Sequence, residues 1–110
     1  MRNGDGVVVE WAPFRLAAGV TEAALVEASE ALQRDFLRHQ PGLVRRELLR
    51  APDGGWVDLV HWADAAAAEA MVRAAAESEA CAAYFRLMEG GVDLADPGAG
   101  VVHLRRVRAY

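Results

Sequence analysis

The sequence predicts an α+β fold in which one antiparallel sheet carries two helices. Four stretches have the β-branched or alternating residues of strands, and two stretches have apolar residues at the three- and four-residue spacing of helices. The elements follow the order strand, helix, strand, strand, helix, strand, and the turn sequence Pro52-Asp53-Gly54-Gly55 joins the two middle strands. This βαββαβ order is that of a ferredoxin-like split βαβ sandwich. We expect residues 1–110 to form a single domain, because this length supports one core.

The first half of the chain predicts a strand followed by an amphipathic helix. Residues 7–16 are β-branched and aromatic, and Pro13 within them indicates an edge or a bulge because it lacks a backbone donor. Thr21 is a suitable N-cap for a helix over residues 22–39. Pro41 then ends this helix, since proline disfavours helical backbone in the residue before it.

The middle of the chain predicts a hairpin with strands at about residues 43–51 and 55–62. Because side chains alternate along a strand, the second of these strands presents two different faces. One face carries Trp56, Asp58, Val60 and Trp62, and the other carries Val57, Leu59 and His61. Neither face is purely polar, so we expect both to be covered.

The last part of the chain predicts the strongest helix, a loop and a final strand. The helix spans residues 64–89, with Asp64 as N-cap and twelve alanines between Ala63 and Ala83. A loop at residues 92–100 leads to an alternating strand at residues 101–109. If helices cover only one face of the sheet, the other face needs a partner, and we expect a homodimer through the sheet face opposite the helices.

Charge and composition exclude several classes of function. The formal net charge is −4 and the chain contains no lysine, which excludes Schiff-base chemistry and gives no positive field for nucleic acid or an anionic membrane. Cys81 is the only cysteine, so no intramolecular disulfide forms. No signal peptide or apolar run of membrane-spanning length is visible, and we expect a cytoplasmic protein with neither nucleic-acid nor membrane partners.

Two residues are candidates for acid or base catalysis. Asp58 lies between two tryptophans on one strand face, where burial would raise its pKa and suit it to take a proton from a phenol or an enol. The alternative is that Asp58 pairs with an arginine of a neighbouring strand: Arg45, Arg46 or Arg105. His103 lies on the last strand and could serve as an acid or a base near neutral pH.

Three aromatic residues are candidates for binding a substrate. Trp62, Trp56 and Phe85 could line a pocket and stack on a planar ligand, although aromatic residues on a covered face are often simply core. We expect no metal site, because the three histidines lie at no ligand spacing such as H-x-x-x-H. We also expect no bound cofactor.

The segment HQPGLVRRELLRAPDGGWVDLVHWAD, with Pro41-Gly42 opening one strand and Trp62 closing the next, resembles the antibiotic biosynthesis monooxygenase family of dimeric α/β-barrel proteins. The resemblance spans about residues 7–88 and implies the fold and the dimer. In the family's cofactor-free oxygenases an asparagine lies four residues before this tryptophan, and here that position is Asp58. The histidine that haem-degrading members carry on the second helix is absent, which disfavours haem degradation.

The resemblance implies a cofactor-free monooxygenase or an isomerase-like enzyme that acts on a small aromatic or enolisable compound. The alternative is a non-catalytic dimeric module that binds a small ligand or serves a structural role, with the pocket filled by side chains. A cavity walled by Asp58 and Trp62 would favour the enzyme. An Asp58 bonded to arginine with no cavity would favour the module.

Overall fold

The computed structural model describes residues 6–91 and 100–110. The strands are β1 (Val8–Phe14), β2 (Leu43–Arg50), β3 (Trp56–Trp62) and β4 (Val102–Arg105), and the helices are α1 (Glu22–Asp35), α2 (Ala65–Ala75) and α3 (Glu79–Phe85). A short 3-10 helix, Leu37–His39, follows α1. The strands form one antiparallel sheet in the order β2-β3-β1-β4. This arrangement confirms the predicted ferredoxin-like α+β fold.

The predicted second helix is two helices. The single helix expected over residues 64–89 is wrong, because α2 ends at Ala75 and α3 begins at Glu79. Ser78 adopts an extended backbone between them, and its hydroxyl accepts a hydrogen bond from the Cys81 N–H, which caps the new helix. The two helices also pack against different elements, α2 against β3 and α3 against α1.

The first helix and the outer strands are shorter than predicted. Thr21 caps α1 as expected, but regular α-helix ends at Asp35 rather than residue 39 and tightens into the 3-10 turn. Strand β4 ends at Arg105, not residue 109, because its neighbour β1 begins at Val8 and offers little backbone beyond that point. The loop predicted at residues 92–100 lies outside the described residues except for Gly100.

At Pro13, β1 pairs with β3 alone among the described residues, since the ladder between β1 and β4 ends at Trp11. The missing N–H of Pro13 therefore removes no hydrogen bond to β4, which agrees with the prediction that this end of the strand is an edge. The first strand itself ends at Phe14, two residues earlier than expected, and Leu16 forms an isolated bridge with Met88.

The two faces of the sheet have different environments. The helices cover the face that carries Trp56, Asp58, Val60 and Trp62, as the alternation predicted, and the core lies between them. The opposite face, which we call the open face, carries the apolar side chains of Trp11, Leu49, Val102 and Leu104, each 37–50 % exposed. In the described ranges the longest helix has 14 residues, and none is long and apolar enough to cross a membrane.

Gly42 provides a test of how closely α2 lies on the sheet. Gly42 has a φ of +85°, and a Cβ at this position would lie 2.5 Å from the Cβ of Ala67. Gly54 has a φ of +87°, and a Cβ at this residue would have no atom within 4 Å. We expect Gly54→Ala to lower the free energy of unfolding by about 1 kcal/mol through backbone strain alone. Gly42→Ala should cost roughly 1–3 kcal/mol more, because α2 must also move away. Urea unfolding followed by tryptophan fluorescence would measure both, and equal losses would contradict the close packing of α2.

Candidate active site

A cavity of about 320 Å³ lies between the helix-covered face of the sheet and the helices. This volume is at the lower end of the range of about 300–1,000 Å³ typical of small-molecule sites. Its wall is mainly apolar on the helix side, while its ionisable groups come largely from the sheet. The residues that line it include Glu10, Phe14, Leu32, Leu37, Arg46, Asp58, Trp62, Met71, Ala75, Cys81, Tyr84, Phe85, Met88, Glu89 and His103.

The first polar cluster of the cavity is built around Asp58. Its Oδ1 accepts a hydrogen bond from Arg46 Nε at 3.1 Å, and its Oδ2 accepts one from the Tyr84 hydroxyl at 2.6 Å. Arg46 Nη2 lies 2.9 Å from Oδ1 but is not aligned to donate to it, so that contact is electrostatic. The side chains of Arg46 and Asp58 are only 7 % and 11 % exposed. This is the ion pair expected as the alternative for Asp58, and it selects Arg46 from the three arginines considered.

Arg46 connects this cluster to the helices. Its Nη1 donates to the backbone oxygen of Ser29 in α1 at 3.3 Å, and its guanidinium lies 5.5 Å from the centre of the Tyr84 ring in α3. Desolvation by burial raises the pKa of Asp58, and the charge of Arg46 and the Tyr84 hydrogen bond oppose that rise. Burial and the neighbouring Asp58 carboxylate raise the pKa of Tyr84, which therefore stays protonated and donates to Asp58.

The second polar cluster is built around Glu10, which the sequence reasoning missed. Glu10 is 8 % exposed, and its Oε1 accepts a hydrogen bond from Trp62 Nε1 at 3.3 Å and lies 3.3 Å from His103 Nε2. Desolvation raises the pKa of Glu10, while His103 and Trp62 oppose the rise and the charge of Asp58 adds to it. A signal was available in the sequence, since Glu10 alternates with the inward-facing Val8.

The structure brings together most of the residues predicted for the site. Asp58, His103, Trp62 and Phe85 all line the cavity. Trp56 is buried on the same sheet face but does not line it, and the Arg50 guanidinium lies 5.2 Å from its ring centre. Within the described residues, no group of three or more His, Cys, Asp or Glu side chains is placed to hold a metal ion. The catalytic and binding roles stay predictions at this point.

The buried Arg46–Asp58 pair leads to a stability prediction with an internal control. Arg46→Met should lower the free energy of unfolding by about 3–5 kcal/mol, because it leaves the Asp58 carboxylate buried without its counter-charge. Arg34→Met is the control, since Arg34 lies on α1 and pairs with Asp35 in the solvent, with its side chain 62 % exposed. The loss of unfolding free energy in this control variant should be much smaller. Chemical denaturation of both variants would decide, and comparable losses would contradict a stabilising role for the buried pair.

Comparisons with known proteins show which fold this is. No protein-family profile matches the sequence, and no curated protein matches it. Among solved structures, SnoaB, a cofactor-independent oxygenase from Streptomyces nogalater, is 20 % identical with a TM-score of 0.65, and the match covers 96 % of this chain and 95 % of that chain. A candidate antibiotic biosynthesis monooxygenase from Bordetella bronchiseptica is 17 % identical with a TM-score of 0.72 over 94 % and 99 % of the two chains.

A dimeric ferredoxin-like protein of unknown function from Jannaschia sp. CCS1 is 14 % identical with a TM-score of 0.59, and the match covers 90 % of this chain and 96 % of that chain. Identities this low establish a shared fold and leave the activity to be argued from the site. The chain has the fold of the antibiotic biosynthesis monooxygenase-like proteins, which confirms the expected resemblance at the level of the fold.

Proposed function

We propose that this protein is a cofactor-independent oxygenase, or an isomerase that shares its first step, and that it acts on a small aromatic or enolisable compound bound in the cavity. The observation that carries the proposal is the cavity itself: an apolar chamber with a carboxylate–imidazole pair in its wall. Pockets of this kind are the default sites of small-molecule chemistry. The structural likeness to a cofactor-independent oxygenase supports the choice of reaction class.

The proton acceptor in this proposal is His103, oriented by Glu10. When His103 Nε2 donates to Glu10, the other ring nitrogen carries the lone pair that can accept a proton. Trp62 holds the same carboxylate oxygen from the other side, so the carboxylate that orients the imidazole is itself fixed. The His103 side chain is 39 % exposed, which gives the accepted proton a route to solvent.

Asp58 has a different role in this proposal from the one expected first. Both of its oxygens already accept hydrogen bonds, from Arg46 and from Tyr84. Both bonds stabilise the ionised carboxylate and oppose the rise in its pKa that burial causes, so they make Asp58 a weaker proton acceptor. We therefore assign Asp58 to positioning: it fixes the guanidinium of Arg46 and the ring of Tyr84 in the cavity wall.

The reaction requires only the substrate and dioxygen. Removal of a proton from a phenol or an enolisable CH₂ group leaves an electron-rich anion, which supplies the electrons that reduce dioxygen. Oxidation of a CH₂ group to a carbonyl then consumes one O₂ and releases one water, and the substrate is the reductant. In an isomerase the same anion would take its proton back at another atom, and no oxygen would be consumed.

The Arg46–Asp58 ion pair specifically favours a second candidate, a dimeric module that binds a small ligand without transforming it. A paired Asp58 is one of the two features expected of such a module, while the other, a pocket filled by side chains, is not observed, because Asp58 and Trp62 line a cavity. The cavity beside the pair is compatible with ligand binding in either case. Turnover is thus the property that separates the two candidates.

We further propose that the open face forms a homodimer interface. Its exposed apolar residues include Trp11, Val102 and Leu104, which lie on the neighbouring strands β1 and β4. A large apolar patch of this kind is unusual on a monomer. The similar fold from Jannaschia is described as dimeric, which supports the proposal.

Anthrone provides a direct test of the catalytic proposal, because loss of a proton from its CH₂ group gives an anion delocalised through the rings onto the carbonyl oxygen, and its oxidation product, anthraquinone, absorbs differently. We expect the protein to accelerate the reaction with one O₂ consumed for each anthraquinone formed, measured by an oxygen electrode and absorbance. His103→Gln should reduce the rate at least about 100-fold through loss of the proton acceptor. His39→Gln is the matched control, since His39 is exposed and lies outside the cavity.

Three other results would redirect the assignment. Loss of activity in Asp58→Asn but not in His103→Gln would return the role of base to Asp58. A thermal shift with anthrone and no oxygen uptake would favour the binding module. Oxidation no faster than in buffer, with no thermal shift, would contradict a site for this class of compound.

The dimer is tested by the mass in solution. Light scattering at micromolar concentration should give about twice the chain mass of 11.9 kDa. Trp11→Glu and Leu104→Glu should shift this mass towards the monomer, because each buries a carboxylate in an apolar interface. Val26→Glu is the control, because Val26 is similarly exposed but lies on α1. A strictly monomeric unmodified protein would contradict the interface.

A further inference from the structure

The described lining of the cavity contains more acidic than basic side chains. Among the described residues, the lining includes the buried carboxylates of Glu10 and Asp58 and the exposed residue Glu89, against the guanidinium of Arg46. Arg46 is committed to Asp58, so its charge is already neutralised. The cavity is therefore electronegative wherever His103 is neutral.

Glu10 contributes most to this imbalance inside the cavity. Glu10 and Arg46 both lie opposite Val60, on the two strands that flank β3, yet Arg46 turns to Asp58. The described residues place only Trp62 and His103 against the Glu10 carboxylate, through Oε1. Both are hydrogen-bond donors to the ionised form, and neither brings a permanent positive charge.

We propose that Glu10 sets the ligand specificity of the cavity: it selects uncharged aromatic compounds that carry a hydroxyl group and excludes compounds that carry a carboxylate. The inference rests on the proposed function only in placing the ligand in this cavity. A hydroxyl can donate a hydrogen bond to the Glu10 carboxylate, whereas a second carboxylate would be brought close to it in a poorly solvated space. The apolar walls from Met71 and Phe85 suit the ring.

A matched pair of probes tests this selectivity. At a pH of ~7, 2-naphthol is neutral and 2-naphthoate is ionised, because phenols titrate near 10 and carboxyl groups near 4. The two share the same ring system, so they differ mainly in charge. Isothermal titration calorimetry should show 2-naphthol binding at least about tenfold more tightly than 2-naphthoate. Equal binding, a preference for 2-naphthoate, or no binding of 2-naphthol at millimolar concentration would overturn the proposal.

Variants at position 10 separate charge from shape. Glu10→Gln keeps the shape and an acceptor oxygen, and it should bring the two affinities to within about threefold. Glu10→Asp retains the charge and should keep the preference for 2-naphthol. Glu30→Gln, which removes a carboxylate from the exposed side of α1, should leave the ratio unchanged. An unchanged ratio in Glu10→Gln would overturn the assignment, and if this variant does not fold by circular dichroism, the parent protein and Glu10→Asp still decide it.

The binding experiment can contradict the role of Glu10 without contradicting the proposed function, and the reverse also holds. Binding with the expected selectivity but no oxidation or isomerisation of any hydroxylated probe would retain the role of Glu10 and remove the enzyme. Oxidation of anthrone together with tight binding of 2-naphthoate would retain the enzyme and remove the role of Glu10.

Discussion

The buried ion pair between Arg46 and Asp58 connects the elements that enclose the cavity. Asp58 belongs to β3 and Arg46 to β2, and the same two side chains reach Tyr84 in α3 and the backbone of Ser29 in α1. A pair this deeply buried is tolerated only when its remaining polar groups are largely satisfied. These hydrogen bonds connect α1 and α3 to the sheet beside the cavity, and Arg46, Asp58 and Tyr84 all line it.

The two carboxylates of the cavity differ in how they are stabilised, and this difference determines what each can do. Asp58 has a guanidinium and a hydroxyl on its two oxygens, so its charge is balanced inside the protein. Glu10 has an indole N–H and an imidazole, so its charge is solvated by dipoles rather than cancelled. A balanced carboxylate holds its neighbours in place. A carboxylate without a counter-charge, such as that of Glu10, exerts its electric field on a ligand in the cavity.

The sequence was sufficient for the fold because its signals were local: a proline–glycine turn, two capping residues and alternation along strands. It could not choose among arginines for Asp58, because a β-bulge between Leu43 and Arg45 shifts the alternation in β2 and places Arg46, not Arg45, on the cavity side. The sequence did not identify Glu10 as a site residue, because Glu10 becomes a candidate only through its contact with His103. That histidine is 93 positions away, on a strand of only four residues. The break at Ser78 was hidden by alanines that favour helix on both sides.

Strand β4 links the proposed interface to the proposed chemistry. It has one strand neighbour among the described residues, and its four residues alternate between the two faces. His103 points to the cavity side, while Val102 and Leu104 on either side of it lie on the open face and are about half exposed. A strand held along one edge only is weakly fixed by its backbone bonds. In the proposed dimer, burial of Val102 and Leu104 would fix the backbone that carries His103, so the geometry of the proton acceptor would depend on the second copy.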